Sequence, residues 1–298
     1  SGGFVMNKPL LLTDFLDRAV HLYGEKKAII DQNEKIYTYN EVNERVNQLS
    51  HGLHHLGIQK QDRVAYLAPN TVEMYEGFYG VFQVGGVMVS LNTRLSPNEY
   101  LFILNHSESK VLFVDHELVH QIEPIIDQLE TVETIIVHGA TESKGHLNAY
   151  DSWLAAQSTE EFQRVKLQED DVATLLYTSG TTGNPKGVML THRNNYLHAL
   201  STMHHLRVSD QDTLIHILPM FHVNGWGSPF YYTANGATQI MQKQNNPADI
   251  LRKVEQYGAT VMHMAPVVLS GLIDAFPKVK PEIEQNVRIV IAGSAPPQ

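Results

Sequence analysis

The sequence contains no cysteine, which excludes a disulfide framework, a thiolate nucleophile and a Cys-ligated zinc. Basic residues are few: 22 against 32 acidic ones, for a formal net charge of -10, with no basic run to offset that surplus. Nucleic acid is therefore not an expected partner. There is no apolar stretch near the roughly 20 residues that span a bilayer, and no cationic segment followed by an apolar one at the start. A transmembrane segment and secretion are both disfavoured, and with the missing cysteines the expected location is cytoplasmic. Internal repeats and low-complexity tracts are also missing.

What is present is the composition of a folded protein. The 298 residues are 43% hydrophobic and 18% charged, enough to bury one large or two ordinary cores without covalent staples. The small-residue leader Ser1-Gly2-Gly3 ahead of Met6 has the look of a cloning remnant and is left out of the fold reading.

The first clear element starts at the capping box Thr38-Tyr39-Asn40-Glu41 and carries Val42, Val46, Leu49, Leu53 and Leu56 on one helical face until Gly57. A strand over Val64–Ala68, a Pro69-Asn70 turn, a helix through Phe82 and a Gly85-Gly86 stop before Val87–Val89 follow. Ser96-Pro97-Asn98-Glu99 caps another helix, and Val111–Val114 and Thr134–Val137 read as strands. The pattern weakens from Gly139 to Asp170 and then resumes with strands at Val172–Leu176, Leu214–Leu218, Thr238–Met241, Thr260–Met264 and Arg288–Ile291. Short continuous apolar strands alternating with helices argue for the α/β class, as layered mostly parallel β-sheets flanked by helices. The soft middle suggests a first α/β subdomain over 6–165 and a second over 166–298. The end at Gly293–Gln298, inside a strand-to-helix loop, suggests that native chain is missing.

Between two apolar strands lies Tyr177-Thr178-Ser179-Gly180-Thr181-Thr182-Gly183-Asn184-Pro185-Lys186-Gly187, with four aliphatic hydroxyls, three glycines and one cation. Glycines let backbone N–H groups face an anion, the hydroxyls add neutral donors, and Lys186 brings a mobile charge. It is not a Walker A loop, because there the lysine follows a glycine directly and opens a helix, whereas Gly187-Val188-Met189-Leu190 looks like a second strand. On composition alone, the plain alternative is a polar hairpin without a ligand.

As an ordered string this segment resembles the signature of the adenylate-forming superfamily, which includes acyl-CoA synthetases, luciferases and peptide-synthetase adenylation domains. Thr38 to Glu44 and Val84 through Asn92 are similar to further motifs of that family, so the resemblance runs through nearly the whole chain. It implies the N-terminal portion of an AMP-forming acyl-CoA synthetase. Thr178, Ser179, Gly180, Thr181, Thr182, Gly183 and Lys186 would hold the phosphates of ATP, with Thr178 near Mg2+.

Pro219-Met220-Phe221-His222-Val223-Asn224-Gly225-Trp226-Gly227 follows a strand end, the usual place for ligand-contacting loops in α/β sheets. By residue type alone His222 reads as a structural histidine and Trp226 as core. The string looks like the acyl-binding motif of fatty-acyl-CoA synthetases, which implies that His222, Val223, Gly225 and Trp226 line a carboxylate and acyl tunnel. Lys186 and His222 are the catalytic candidates. Amino-acid-activating relatives place an aspartate here to pair with the substrate ammonium, since a buried cation without a counter-charge is costly. No aspartate occurs between Thr213 and Ala248, which favours a fatty or aryl acid. Ala292-Gly293-Ser294-Ala295-Pro296 is similar to the loop that lies against adenine, with Gly293, Ser294 and Ala295 as contacts; an ordinary tight turn is the alternative.

Further family parts, including a mobile C-terminal domain with a catalytic lysine, are not found in the 298 residues, so the chain alone is expected to adenylate poorly. His51, His54 and His55 have helix-compatible ligand spacing but no acidic or cysteine partner, and read as helix surface. The resulting expectation is ATP-dependent, Mg2+-dependent activation of a carboxylic acid to an acyl-adenylate and then to acyl-CoA, with coenzyme A as co-substrate. A homodimer is compatible with it. A kinase or phosphohydrolase, which would form ADP, and a non-catalytic nucleotide-binding module are the rival readings.

Overall fold

Thr38, Thr71, Ser96, Thr191 and Asn246 each cap the helix that follows them, and most strands form where apolar residues run together. The structure is a computed structural model that describes residues 8–179, 183–223 and 227–292. Ahead of the first capping box stand elements that the sequence pattern did not reveal: α1 (Thr13–Tyr23), β1 (Lys27–Ile30) and β2 (Ile36–Thr38). The Thr38 hydroxyl then accepts from the Glu41 N–H while the Glu41 carboxylate accepts from the Thr38 N–H, starting α2 (Tyr39–His55). Next come β3 (Arg63–Leu67), α3 (Val72–Gln83) and β4 (Val87–Ser90). Ser96 and Glu99 form a second reciprocal cap at α4 (Pro97–His106), which leads to β5 (Val111–Asp115) and β6 (Thr134–His138).

The soft middle holds only β7 (Leu147–Ala149) and α5 (Tyr150–Ala155). The second half runs β8 (Val172–Thr178), β9 (Lys186–Thr191), α6 (His192–Leu206), β10 (Thr213–His216) and α7 (Ser228–Ala234). It closes with β11 (Thr238–Met241), α8 (Pro247–Tyr257), β12 (Val261–Met264), α9 (Pro266–Val279) and β13 (Arg288–Ile291). Among the described residues no helix is long and apolar enough to cross a membrane.

The strands form two sheets. One has the order β7-β6-β5-β3-β4-β8-β9, the other β13-β12-β10-β11-β1-β2. Each is parallel throughout except for one antiparallel edge strand, β9 in the first and β2 in the second. The α/β architecture with mostly parallel sheets is as the sequence implies. Sheet membership, however, crosses the division near residue 165. β1 pairs with β11, some two hundred residues later, and β8 pairs with β4.

Helix α3 is buried over its whole length, and so is α7. A helix buried on every side belongs inside a layered fold. The two meet through Tyr75 and Thr233 (2.6 Å), through the Tyr79 hydroxyl on the Pro229 carbonyl (2.7 Å) and through an edge-to-face contact of Phe78 with Phe230. One core cluster draws on both sheets, including Ile29 and Met241 from the second and Val64 and Met88 from the first. Fully buried Glu76 is matched by the bidentate Arg45 guanidinium at 2.7 and 2.8 Å and by the Tyr150 hydroxyl at 2.6 Å, as a buried carboxylate requires.

Candidate functional site

The β8–β9 pair is an antiparallel hairpin with Thr178 opposite Lys186 and Tyr177 opposite Gly187. Tyr177 is buried and its hydroxyl meets His106 Nδ1 at 2.7 Å, which ties the base of the hairpin to α4. Beyond Tyr177 the chain leaves the core. Thr178, Ser179, Gly183 and Lys186 are all exposed, and among the described residues Lys186 has no carboxylate partner. Gly183 has φ +92, a conformation that favours glycine, and among the described residues nothing lies within 4 Å of where a Cβ would stand. Gly180, Thr181 and Thr182 lie outside the described residues. The described flanks therefore offer hydroxyls, a left-handed glycine and an unpaired ammonium on one exposed hairpin.

The second candidate region starts where β10 ends at His216. Residues 217–221 turn outward and Met220–His222 close a 3-10 turn, with the His222 N–H on the Pro219 carbonyl at 3.1 Å. Phe221 and Val223 are buried while the His222 ring is accessible at the rim of a cavity of about 570 Å³. Partial desolvation at that rim holds the imidazole pKa below its ordinary value, favouring the neutral ring. Ile217, Phe221, Val267 and Val268 supply apolar wall, and Asn70, Asn92, Arg94, Gln242 and Lys243 supply polar groups. No carboxylate lines the cavity among the described residues, whereas two cations do.

The two regions open at the same end of the fold. β4 and β8 are parallel neighbours, with Met88 opposite Thr174 and Val89 opposite Leu175. Three residues further along each chain stand Asn92, in the cavity wall, and Thr178, at the start of the hairpin. Neighbouring strands lie about 4.8 Å apart, so both features sit at the carboxyl ends of adjacent strands, where α/β sheets bind ligands. The described hairpin residues do not themselves line the cavity.

The model of the AMP-binding enzyme family matches residues 16–298. The chain belongs to the AMP-binding enzyme family. Among similar curated proteins is the long-chain-fatty-acid–CoA ligase of Thermus thermophilus, 35% identical over 99% of this chain and 54% of its own length. A solved long-chain-fatty-acid-CoA ligase from Archaeoglobus fulgidus matches with TM-score 0.81 and 28% identity, over 93% of this chain and 56% of that one. An anthranilate CoA ligase solved in complex with anthranoyl-AMP matches with TM-score 0.81 and 25% identity, over 89% and 52%. The chain thus spans about half the length of the relatives it matches.

Gly225 and Trp226 lie outside the described residues, as do Gly293, Ser294 and Ala295. The approach to the last three is described: the Ala292 N–H continues the β12–β13 ladder onto the Met264 carbonyl at 2.8 Å, one residue before Ala265 in the cavity wall. His51 and His55 contact the Glu160 carbonyl and the Gln157 side chain at 3.0 Å each, and His54 lies edge-on to Phe162. The segment after α5 thus partly covers them. Asp115, His116 and Glu117 stand close enough for a metal, but the Lys243 ammonium is already 3.2 Å from both carboxylates. Asn70, Asn92, Arg94, Gln242 and Lys243 were not foreseen as site residues. Asn70 had shown only as half of a Pro-Asn turn, and Asn92 only as the end of a motif.

Proposed function

We propose that this chain provides the nucleotide- and acid-holding part of an AMP-forming acid–thiol ligase. A carboxylate oxygen attacks the α-phosphorus of ATP and the bond to the bridging oxygen breaks, giving acyl-adenylate and pyrophosphate. The thiol of coenzyme A then attacks the acyl carbon, forming the thioester and releasing AMP. In-line displacement at phosphorus needs positioning and charge neutralisation more than proton transfer. Lys186 and the hydroxyls of Thr178 and Ser179 serve the phosphates. His222, held neutral at the rim, donates a hydrogen bond toward the substrate carboxyl group without competing as a cation.

Mg2+ on a triphosphate takes most of its ligands from phosphate and water, so a single hydroxyl such as that of Thr178 suits it. When bound, it would supply further charge neutralisation at the phosphates. The Asp115 cluster is not suited to this role: it already holds Lys243, and β3 and β4 stand between β5 and β8. The acid is one without an α-ammonium, since among the described residues the cavity wall carries no carboxylate to pair with one. Relatives named for a long-chain fatty acid and for anthranilate leave both fatty and aryl acids in that class.

The observation that supports this reading is the shared end of β4 and β8, with an exposed hairpin and a cavity beside it; among the described residues Lys186 has no carboxylate partner and the cavity has no carboxylate in its wall. The test is acid-dependent ATP–pyrophosphate exchange by the full-length gene product, with fatty and aryl acids of graded size. AMP is the expected nucleotide product. Formation of ADP, or ATP binding without any acid-dependent exchange, would refute the proposal.

A further inference from the structure

Two buried side chains of the seven-stranded sheet reach across to hold the loop that carries His222. Asn70, 4% exposed, follows β3. Its side-chain amide donates to the carbonyls of His216 (2.9 Å) and Leu218 (3.0 Å), and its Oδ1 accepts from the Met220 N–H at 2.8 Å. Ser90, 1% exposed, ends β4 and donates to the Phe221 carbonyl at 2.8 Å. Together these bonds fix backbone groups from 216 to 221, up to the residue before His222.

Buried backbone groups that leave a sheet need partners. Asparagine offers two N–H donors and one carbonyl acceptor on a short side chain, which serves two carbonyls and one N–H at once; aspartate lacks the donors. Asn70 is itself held in place. Pro69 precedes it, and Thr71 after it caps the wholly buried α3 by accepting from the Met74 N–H at 3.1 Å. Ser90 sits on the strand next to β3, opposite Tyr66. The two anchors therefore belong to one rigid unit, the same sheet that carries the hairpin with Lys186.

We infer that Asn70 and Ser90 are positioning residues that set His222 over the cavity, registering the acid side of the site on the sheet that carries the phosphate side. The inference rests on the proposed reading that His222 faces the substrate carboxyl group. Its physical core, the clamp on residues 216–221, can be tested separately.

The test uses Asn70→Ala, Asn70→Asp and Ser90→Ala in the full-length protein, with two readouts. Amide hydrogen exchange at Met220 should accelerate about tenfold or more in Asn70→Ala, the equivalent of losing one buried hydrogen bond. Asn70→Asp, which keeps the acceptor, should exchange more slowly there than Asn70→Ala. In acid-dependent pyrophosphate exchange, the KM for the acid should rise about tenfold in Asn70→Ala and about threefold in Ser90→Ala, with the KM for ATP within about twofold. A merely structural role would lower the melting temperature without separating the two KM values. Unchanged Met220 exchange in the folded variants overturns the clamp, and faster exchange with an unchanged acid KM overturns the positioning role. If Asn70→Ala does not fold, Ser90→Ala decides by the acid KM. A wild-type protein without acid-dependent exchange would sink the functional reading, while Met220 exchange would still judge the clamp.

Discussion

At the edge of one sheet the chain exposes the hydroxyls of Thr178 and Ser179 and the ammonium of Lys186. Between His216 and His222 it turns with its backbone held by Asn70 and Ser90, both buried. The two turns open at the same end of the fold, yet the described flanks of one leave two hydroxyls and an ammonium exposed, while the other has its backbone groups satisfied by the protein. On the proposed reading, a triphosphate brings several oxygens and can itself complete the hairpin's hydrogen bonds. A carboxylate brings two, so its wall must be rigid beforehand. The contrast is between a surface finished by its ligand and one finished by its own fold.

The largest way to sharpen this contrast is to remove the unspent charge. Lys186→Met should lower acid-dependent exchange by about two to three orders of magnitude, the usual cost of deleting a donor to developing charge. The melting temperature should hold, because Lys186 is exposed and has no carboxylate partner among the described residues. A matching loss of stability would show that the lysine is structural and would break the comparison.

Acid should next weaken the fold around the clamped turn, while the exposed residues of the hairpin carry no group of this kind. Buried His216 has its pKa pulled down to about 4, chiefly by desolvation, whereas the unfolded chain titrates near ~6.5. Above that value both states are neutral and this contribution to stability is whole. As pH falls from about 6.5 toward about 4 the unfolded chain takes up a proton that the folded one refuses. Stability then drops by up to about 1.4 kcal/mol per pH unit for this group. His138, His192 and His263, likewise buried with pKa values near about 4, act with the same sign. No histidine occurs from Tyr177 to Thr191. Urea unfolding at pH 7, 6 and 5 should show a steep acid limb that is shallower in His216→Gln; an unaltered slope contradicts the assignment.

The smallest effect concerns the hairpin's own backbone. Among the described residues Gly183→Ala meets no atom within 4 Å, so its φ of +92 is what opposes the change, and the cost should stay at about 1 kcal/mol in a denaturant titration. A much larger cost would mean that the hairpin is packed by the fold after all.

Much of this was legible in the residues themselves. Thr38 with Glu41 and Ser96 with Glu99 announced helix starts that the structure confirms as reciprocal caps, and the apolar runs from Val64 to Ile291 fell on strands. The ordered string from Tyr177 to Gly187 marked the hairpin between β8 and β9 because glycine, hydroxyl and lysine chemistry is local. By contrast, β1 and β2 escaped notice, being short and paired either with each other or with β11 far along the chain. The polar wall of Asn70, Asn92, Arg94, Gln242 and Lys243 comes from segments scattered over the sequence. Asn70 looked like a turn residue because its partners lie about 150 positions away.

By itself the sequence determined what depends on near neighbours: caps, strand runs, the composition of the hairpin from Tyr177 to Gly187 and the absence of an aspartate from Thr213 to Ala248. The tertiary structure alone decided which sheet each strand joined and which side chains met across the sheets. It also decided that β4 and β8 would bring hairpin and cavity to one end. Helix and turn signals act over a few residues of backbone, whereas a buried donor such as the Asn70 amide finds its carbonyls only after two sheets have closed on a shared core.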